Sequence, residues 1–370
     1  PGEWEVQGVG IGGLAEPSDV LDMGNSGTSA RLLAGLVASY PFLSFFTGDA
    51  SLRKRPMKRV AAPLEEMGAR FMTRSGGRLP MAVMGAAQPL PISYVLPVPS
   101  AQVKSAILLA ALNTPGRTTV VESAATRDHT ERMLRHFGAT VHVDSQPDGT
   151  AISLEGHQAL KAAPLEVPAD PSSAAFPVVA ALITPGSAIT VPGVCLNPAR
   201  TGFLETLQEM GAEVTISAIR QQCGETVGDL AVASSSLKGV DVPASRAPSQ
   251  IDEYPALFVA AACAQGISRF RGLAEMRVKE SDRVAVMAAG LEQCGVDVRI
   301  EGDDLIITGH GKPPPGSASI ATHLDHRIAM SFLVLGMAAA GAVQVDDASP
   351  VETSFPGFAP LMNSLGASIA

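Results

Sequence analysis

The sequence has little of what several protein classes require. Its four cysteines include no Cys-x-x-Cys pair, so neither a disulfide scaffold nor a zinc site is indicated. No apolar run reaches the roughly 18 residues of a membrane span, and residues 1–5 lack the features of a signal peptide. Lys and Arg (27) are outnumbered by Asp and Glu (36), so general nucleic-acid binding is not expected. We therefore expect a cytoplasmic protein without a membrane or nucleic-acid partner.

A glycine-rich stretch near the start lacks the context of a dinucleotide site. Residues 8–13 match G-x-G-x-x-G by letter. That pattern needs a helix to begin at its end, and Pro17 follows too soon for a long one. We predict a glycine-rich loop and exclude a Rossmann fold.

An internal repeat runs along the chain. Five times a helical stretch ends in an apolar residue and is followed by glycine and then Ala or Val. These glycines are Gly68, Gly138, Gly211, Gly295 and Gly366. Each is predicted to end a helix in the left-handed region and to turn the chain into strands. The chain therefore contains five copies of a repeat of about 74 residues.

Each repeat also contains a short polar junction that leads into an apolar helix. The junctions and helices occupy residues 24–38, 99–112, 169–183, 248–264 and 324–340. The first N–H groups of a helix are unpaired and lie at the positive end of its dipole, which suits a phosphate or carboxylate. A capped core helix is the alternative in each case. Alternating strands and helices predict α/β repeats with inner helices packed together, and junctions at one end would form one binding region.

The first repeat contains the most basic short segment, residues 53–55. Charge runs of this kind are usually solvated surface. Arg55, however, precedes Pro56, which restricts its backbone, and a guanidinium fork fits carboxylate and phosphate.

The densest group of charges lies at residues 276–283 in the fourth repeat. If this segment is helical, Lys279 and Arg283 share one face and Glu280 lies beside Arg283. A carboxylate flanked by cations stays ionised and can still exchange a proton with a bound substrate. An exposed ion-pair cluster is the alternative.

Polar residues at the other helix starts have both structural and chemical interpretations. Ser100 is predicted to cap its helix and could also bind a ligand. Asp170, followed by proline, predicts a helix start with a mainly structural role. Asp252 is either a cap or a base. Residues 126–131 begin a polar helix and are equally well explained as a surface salt-bridge cluster.

Two histidines in the fifth repeat stand three residues apart. His323 and His326 lack neighbouring cysteine or acidic ligands of the kind that a metal site needs, so a metal site is weakly indicated. Thr322 and Asp325 have the spacing of a capping box. We therefore predict a capped helix with Arg327 available for an anion near its start.

Five motifs occur in an order that identifies a family resemblance. They are residues 24–28, 54–56, 100–102, 277–283 and 325–327. Together they resemble the 5-enolpyruvylshikimate-3-phosphate synthase family over essentially the whole chain. Residues 100–102 and 353–356 resemble its class II branch. The resemblance implies an α/β fold of two domains, the inside-out α/β barrel of enolpyruvyl transferases, made of βαβαββ repeats. The domains are expected at residues 1–165 and 166–370.

The same resemblance implies the reaction. The enolpyruvyl group of phosphoenolpyruvate moves to the 5-hydroxyl of shikimate 3-phosphate and phosphate is released, on the route to chorismate and aromatic amino acids. No organic cofactor and no metal are expected. Two polyanionic substrates need several convergent cations, and addition followed by elimination needs separate groups for proton transfer.

Site residues are also implied by the resemblance. The phosphoenolpyruvate-binding residues are Gly27, Arg55, Gln102, Arg283 and Arg327. The residues that contact shikimate 3-phosphate are Ser100, Ala101, Gln102, Arg127, Asp252 and Lys279. The catalytic residues are Asp252, the base for the attacking hydroxyl, Glu280, the acid and base at the methylene carbon, and Lys279.

The chain departs from the family pattern in two ways. The family has six repeats and five are counted here, so we expect a fragment without the first repeat and its Lys-Ser-x-x-x-Arg loop. Residues 104–105, Lys-Ser, lie inside a predicted helix and do not replace that loop. We therefore expect little turnover from the chain alone and exposed apolar surface in its first domain. Gly27 stands where glyphosate-tolerant class II members carry Ala, so sensitivity to glyphosate is expected of a completed enzyme, as is a monomer.

Two alternatives remain. UDP-N-acetylglucosamine enolpyruvyl transferases usually carry a loop cysteine before the hinge, whereas Cys195 is the first cysteine here. An anion-binding protein that kept the fold and lost turnover is the second alternative, and the missing loop favours it.

Overall fold

The computed structural model describes residues 2–370. Its internal contacts divide the chain into two compact units, unit 1 ending at Glu166 and unit 2 beginning at Val167. Within the described residues, none of the helices combines the length and apolar character needed to cross a membrane. Residues 8–13 contain no helix, so the prediction of a glycine-rich loop is confirmed.

Unit 1 contains two copies of one βαβαββ repeat. The first consists of β1 (Leu21–Asp22), α1 (Gly27–Val37), β2 (Leu43–Thr47), α2 (Lys58–Glu66), β3 (Arg70–Arg74) and β4 (Arg78–Met84). The second consists of β5 (Ser93–Val95), α3 (Ala101–Ala111), β6 (Arg117–Glu122), α4 (His129–His136), β7 (Val141–Gln146) and β8 (Gly149–Glu155). Both sheets have the same order, β1-β2-β4-β3 and β5-β6-β8-β7. In each, the first two strands are parallel and the other pairs are antiparallel.

Unit 2 contains the other three repeats. The third has α5 (Pro171–Ile183), β9 (Ala188–Cys195), α6 (Gly202–Glu209), β10 (Glu213–Gln222) and β11 (Glu225–Ala233). The fourth has β12 (Asp241–Val242), α7 (Ala247–Gln250), α8 (Tyr254–Cys263), β13 (Gln265–Phe270), α9 (Arg283–Gln293), β14 (Asp297–Glu301) and β15 (Asp304–His310). The fifth has β16 (Ala318–Ile320), α10 (His326–Ala338), β17 (Val343–Val345), α11 (Val351–Ser354) and α12 (Phe358–Ser364).

Among the described residues, two of the three sheets of unit 2 have fewer strands than the sheets of unit 1. Their orders are β10-β11-β9, β12-β13-β15-β14 and β16-β17. In the third repeat a single parallel bridge between Ala169 and Val194 stands where the others have a first strand. The strands expected after Gly366 are absent from the described residues, so the fifth repeat is an incomplete copy of the predicted pattern.

The repeated glycines have the predicted conformation. The φ angles of Gly68, Gly138, Gly211, Gly295 and Gly366 are 104°, 87°, 86°, 82° and 104°. Each follows the last turn of a helix, where the left-handed region is nearly free of strain only for glycine. The α/β class and the repeated organisation are therefore confirmed.

The inner helices form the cores. In unit 1, α1 packs against α3, and in unit 2 each of α5, α8 and α10 packs against the other two. Helices α5 and α8 are buried almost throughout because they are apolar on all sides. The polar junctions that precede the inner helices are therefore attached to buried cores.

Candidate active site

The start of α1 brings two guanidinium groups together. The Ser26 hydroxyl caps the helix by accepting a hydrogen bond from the Ser29 amide at 3.1 Å. Gly27, the first helical residue, is buried, and a Cβ added there would lie 2.7 Å from Arg31 Nη1 and 3.1 Å from Arg55 Nη1. Two cations at a helix N-terminus form a favourable site for an anion.

Arg55 reaches this point from a neighbouring turn. It follows the 3₁₀ turn Leu52–Lys54 with φ −79° and ψ 133°, the extended backbone predicted for a residue before Pro56. Its Nη2 lies 3.5 Å from Asn25 Oδ1, close to the start of α1. The prediction that Pro56 restricts the backbone of Arg55 to an extended conformation is thereby confirmed.

The start of α3 meets the start of α1. Ser100 caps α3, as predicted, through a hydrogen bond from the Val103 amide at 3.4 Å. Gln102 Nε2 donates to Thr28 Oγ1 at 2.8 Å, and Gln102 Oε1 accepts from Arg31 Nη1 at 2.9 Å. The two polar junctions of unit 1 therefore lie together.

Two further predicted residues of unit 1 lie in α3 and in the segment before α4. Ala101 is the first residue of α3, and Arg127 lies half-buried in the segment between β6 and α4. That segment is held at Thr126, whose amide and hydroxyl donate to the Glu122 carboxylate at 3.3 and 2.7 Å. Asp128 adds a salt bridge to Arg132 at 2.8 Å, in agreement with the salt-bridge interpretation of this helix start.

Arg31, for which no role is predicted from the sequence, also reaches the start of α1. Its guanidinium contacts Gln102 and the backbone oxygen of Gly27, the latter at 3.3 Å. The signal was present in the sequence, because a residue four positions after the first residue of a helix lies one turn above it.

In unit 2, three cations converge on Asp252, which lies between α7 and α8. Its Oδ1 is 3.6 Å from Lys279 Nζ and 3.5 Å from Arg283 Nη1. Its backbone oxygen accepts a hydrogen bond from Arg327 Nη1 at 3.1 Å. The start of α8 and the start of α10 therefore lie together as well.

The helix considered for residues 276–283 is not formed. A 3₁₀ turn ends at Val278, and α9 begins only at Arg283 because Asp282 Oδ1 caps it by accepting from the Ala285 amide at 3.0 Å. The prediction that Lys279 and Arg283 share one face of a helix is therefore wrong, although both side chains reach the Asp252 carboxylate. The expected pairing of Glu280 with Arg283 is present at 2.7 Å.

Arg283 and Asp325 form a buried ion pair. Arg283 Nε and Nη2 lie 2.8 and 3.2 Å from the Asp325 carboxylate, and the two side chains are 1% and 0% exposed. Burial alone would raise the pKa of Asp325, but the guanidinium holds it below its ordinary value. Arg283 Nη1 is buried and makes no hydrogen bond among the described residues, and the ion pair that it forms with Asp252 is longer, at 3.5 Å.

The start of α10 is capped differently from the prediction. Asp325 Oδ1 accepts from the Arg327 amide at 3.0 Å, whereas the Thr322 hydroxyl donates to Asp346 at 2.7 Å, so there is no capping box. Arg327 does lie at the helix start. His326 is buried, and burial together with the charge of Arg327 lowers its pKa to about 4. It is therefore a neutral core histidine near neutral pH.

A second network lies behind Asp252. Asp170 caps α5, as predicted, and also accepts from Arg200 Nη2 at 2.8 Å. Arg200 donates to Ser172 at 2.8 Å, and Ser172 is hydrogen-bonded to Glu253. Burial, followed by the charge of Asp252, raises the pKa of Glu253. Arg200 and Glu253 were missed because they meet only in the folded chain.

Comparison with known proteins places this geometry in a family. The chain matches the profile of EPSP synthase (3-phosphoshikimate 1-carboxyvinyltransferase) over residues 3–362. It is 64% identical over 370 residues to the 3-phosphoshikimate 1-carboxyvinyltransferase of Paramagnetospirillum magneticum and 61% identical to that of Rhodospirillum rubrum. These alignments take in 100% of this chain and 83% and 82% of the two relatives. The expected absence of a first repeat remains a prediction.

Solved structures give the same result. A structure of EPSP synthase from Acinetobacter baumannii has a TM-score of 0.87 at 46% identity, over 98% of this chain and 82% of that one. A second structure from the same organism has a TM-score of 0.85 at 44% identity. At these identities the likeness extends beyond the fold to nearly half of the aligned residues.

Proposed function

The chain belongs to the EPSP synthase family, and we propose that the polar helix starts of its two units carry out that family's reaction. It is a transferase with the two-domain inside-out α/β fold. Family members transfer the enolpyruvyl group of phosphoenolpyruvate to the 5-hydroxyl of shikimate 3-phosphate, in the pathway to chorismate and aromatic amino acids.

Phosphoenolpyruvate is proposed to bind where guanidinium groups lie beside helix starts. In unit 1 these positions are Gly27, Arg55 and Gln102, supported by the two Nη atoms beside Gly27. In unit 2 they are Arg283, whose Nη1 forms an ion pair with Asp252 but no hydrogen bond among the described residues, and Arg327. The planar guanidinium groups of arginine can each donate two parallel hydrogen bonds, which suits a ligand that carries both a carboxylate and a phosphate.

Shikimate 3-phosphate is proposed to contact the second junction of unit 1 and the carboxylate of unit 2. The first group is Ser100, Ala101, Gln102 and Arg127. The second is Asp252 and Lys279, whose charged atoms are 3.6 Å apart. A hydroxyl bound there would have an ionised carboxylate and an ammonium group within reach, which suits its deprotonation.

The proposed mechanism divides two proton transfers between two carboxylates. Asp252 accepts the proton of the 5-hydroxyl as its oxygen bonds to C2 of phosphoenolpyruvate, while Glu280 protonates the methylene carbon C3. Glu280 then removes a proton from C3 as the bond from C2 to the phosphate oxygen breaks and phosphate leaves. Glu280 starts protonated and becomes a carboxylate by giving its proton to C3, whereas Asp252 starts as a carboxylate and passes the hydroxyl proton on to the leaving phosphate. Lys279 lies beside Asp252 and Arg283 beside Glu280, so each cation stabilises the ionised form of its neighbour.

One observation carries this proposal: Lys279 and Arg283 of the fourth repeat and Arg327 of the fifth all contact Asp252. Cations gathered around a carboxylate in this way can hold a polyanion beside a base.

The test is phosphate release with each acceptor. We expect Asp252→Asn and Glu280→Gln to lower kcat by about 10²–10⁴-fold without lowering the melting temperature. The control Asp303→Asn removes an exposed carboxylate paired with Arg277 and should leave kcat unchanged. Turnover with UDP-N-acetylglucosamine instead of shikimate 3-phosphate would support the other enolpyruvyl transferase.

Binding separates the enzyme from a protein that only holds anions. Phosphoenolpyruvate affinity is measured with and without shikimate 3-phosphate. An enzyme of this kind should bind the two cooperatively, whereas independent binding without turnover would contradict the proposal.

Two finer features are part of the same proposal. Glyphosate is expected to inhibit, since Gly27 offers no methyl group to crowd it. Inhibition only far above the phosphoenolpyruvate KM would contradict this. A monomer is expected in sedimentation experiments, and a stable dimer would contradict that expectation.

A further inference from the structure

We propose that Lys104, Glu122 and Glu131 form a buried positioning cluster that fixes the segment carrying Arg127 against helix α3. The cluster would thereby set the place of shikimate 3-phosphate in unit 1. This inference rests on the proposed function for its substrate, but its effect on the segment can be measured without any ligand.

The cluster consists of one ammonium group between two carboxylates. Lys104 Nζ lies 2.7 Å from Glu131 Oε1 and 3.2 Å from Glu122 Oε2. The side chain of Lys104 is 1% exposed, that of Glu131 is 2% exposed and that of Glu122 is 5% exposed. Surface ion pairs are solvated and contribute little to stability, whereas breaking an ion pair that is buried to this extent is strongly destabilising.

Its three members belong to the elements around Arg127. The Lys104 amide donates to the Ser100 oxygen at 3.0 Å, so the lysine stands one turn after the cap of α3. Glu122 ends β6 and also holds Thr126. Glu131 lies in the first turn of α4. One ammonium group therefore ties both ends of the segment to the helix that begins at Ser100.

A neutral contact supports the same attachment. Ser105 Oγ lies 2.7 Å from Thr130 Oγ1, beside the contact of Lys104 with Glu131. Helix α3 thus holds the start of α4 at two successive positions. Because Arg127 lies between the two tied ends, its backbone has little freedom to move relative to α3.

The charges of the cluster can balance. Burial raises the pKa of Glu131 more than the neighbouring Lys104 lowers it. Glu131 Oε2 is buried and has no hydrogen-bond partner among the described residues, so it can carry the proton. The cluster then contains one cation and one anion.

Stability alone does not require such a cluster. Well-packed apolar side chains of similar volume are often as stabilising as a buried ion pair. With Glu131 protonated, Lys104 and Glu122 are the charged pair, and the Glu131 carboxyl supplies a further acceptor to the ammonium group. A shift of α4 would remove that acceptor and leave part of a buried ammonium group unsatisfied. That property suits a segment whose arginine must meet a phosphate at a fixed distance.

The experiment compares Glu131→Ala with Glu131→Gln in the full chain. Alanine removes the tie and leaves Lys104 paired with Glu122, whereas glutamine reproduces the neutral carboxyl. We expect the shikimate 3-phosphate Kd to rise about tenfold in Glu131→Ala and to change by less than about threefold in Glu131→Gln. The phosphoenolpyruvate Kd should change by less than about threefold in both.

Two further measurements keep the test decisive. Without ligand, amide hydrogen exchange of residues 123–131 should become faster in Glu131→Ala but not in Glu131→Gln. Thr114→Val is the matched control, since it removes a buried hydrogen bond of 2.8 Å at the other end of α3. It should leave both Kd values and this exchange unchanged.

Several results would overturn the inference. Unchanged exchange in Glu131→Ala would do so, as would equal losses of affinity for both substrates or the same losses in Thr114→Val. If the unaltered chain binds no shikimate 3-phosphate, the proposed function fails for this acceptor, and exchange alone decides the attachment. If Glu131→Ala does not fold, Ser105→Ala takes its place, with faster exchange of residues 123–131 expected and unchanged exchange contradicting the inference.

Discussion

Units 1 and 2 place polar residues at the starts of apolar helices in different surroundings. In unit 2, every residue of α5 except Ser173 is buried, and every residue of α8 except Cys263 is buried. In unit 1, fewer than half of the residues of α1 are buried. The same repeat therefore gives two deeply packed helices, α5 and α8, and a partly open one, α1. Helices α3 and α10 lie between these extremes, with 8 of 11 and 8 of 13 residues buried.

The two units also differ in net charge. In residues 1–166 the basic and acidic side chains are equal in number, so the net charge of −9 resides in residues 167–370. The more acidic unit nevertheless holds the buried Arg283, paired with Asp325 and Glu280. Arg55 in unit 1 is half-buried. We infer that substitution of the buried Arg283 alters stability as well as binding, whereas substitution of the half-buried Arg55 acts mainly on the ligand.

The largest effect is expected from Arg283→Met. It leaves buried carboxylates without their cation, so the free energy of unfolding should fall by about 3–5 kcal/mol. Arg55→Met, the counterpart in unit 1, should weaken phosphoenolpyruvate binding with little change in unfolding. Chemical denaturation of both variants measures this, and equal losses of stability would remove the distinction between the units.

A pH effect is expected from His326 in unit 2. Its pKa is about 4 in the folded chain, against 6.5 ordinarily, so between these values the unfolded chain binds more protons. The full stability is therefore present above pH 6.5 and is lost as the pH falls towards 4. Between pH 7 and 5 this loss should be about 2 kcal/mol.

The variant His326→Gln tests that effect. Because glutamine does not titrate, the variant should lose less stability than the unaltered chain when both are denatured at pH 7 and pH 5. The same loss in both proteins would exclude His326 as its source.

A smaller effect is expected from Gly27→Ala in unit 1. The added methyl group would displace the ends of Arg31 and Arg55, which are flexible and can shift. The phosphoenolpyruvate Kd should rise about tenfold or less, with unfolding unchanged. Gly8→Ala is the control, since a Cβ there meets nothing within 4 Å. An unchanged Kd would mean that neither guanidinium group needs its present position.

The smallest effect should be the same in both units. Gly138→Ala and Gly211→Ala each put a side chain at a positive φ with no close contact, so each should cost about 1 kcal/mol. Thermal unfolding measures both. A clear difference between them would show that the repeats are not equivalent at their shared turn.

The elements that sequence alone predicts are those set by local chemistry. Gly138 and Gly211 end helices because of their own backbone freedom, and Ser100 and Asp170 cap helices through bonds spanning two or three residues. The backbone of Arg55 is likewise fixed by the proline that follows it.

What sequence does not predict depends on distant partners. Lys104 meets Glu122 and Glu131 only after α3, β6 and α4 have packed. The spacing of Lys279 and Arg283 suggested a helix, but Asp282 has the competing property of a cap. Local patterns predict which residues begin helices, and packing determines which charges become partners.

Every sheet in the described residues draws its strands from one uninterrupted stretch of chain, β1–β4, β5–β8, β9–β11, β12–β15 and β16–β17. No strand must wait for another synthesised hundreds of residues later. Each sheet can therefore form as soon as its own stretch has left the ribosome, and pairing over short sequence distances is fast. Slow steps in folding should then come from the docking of finished repeats.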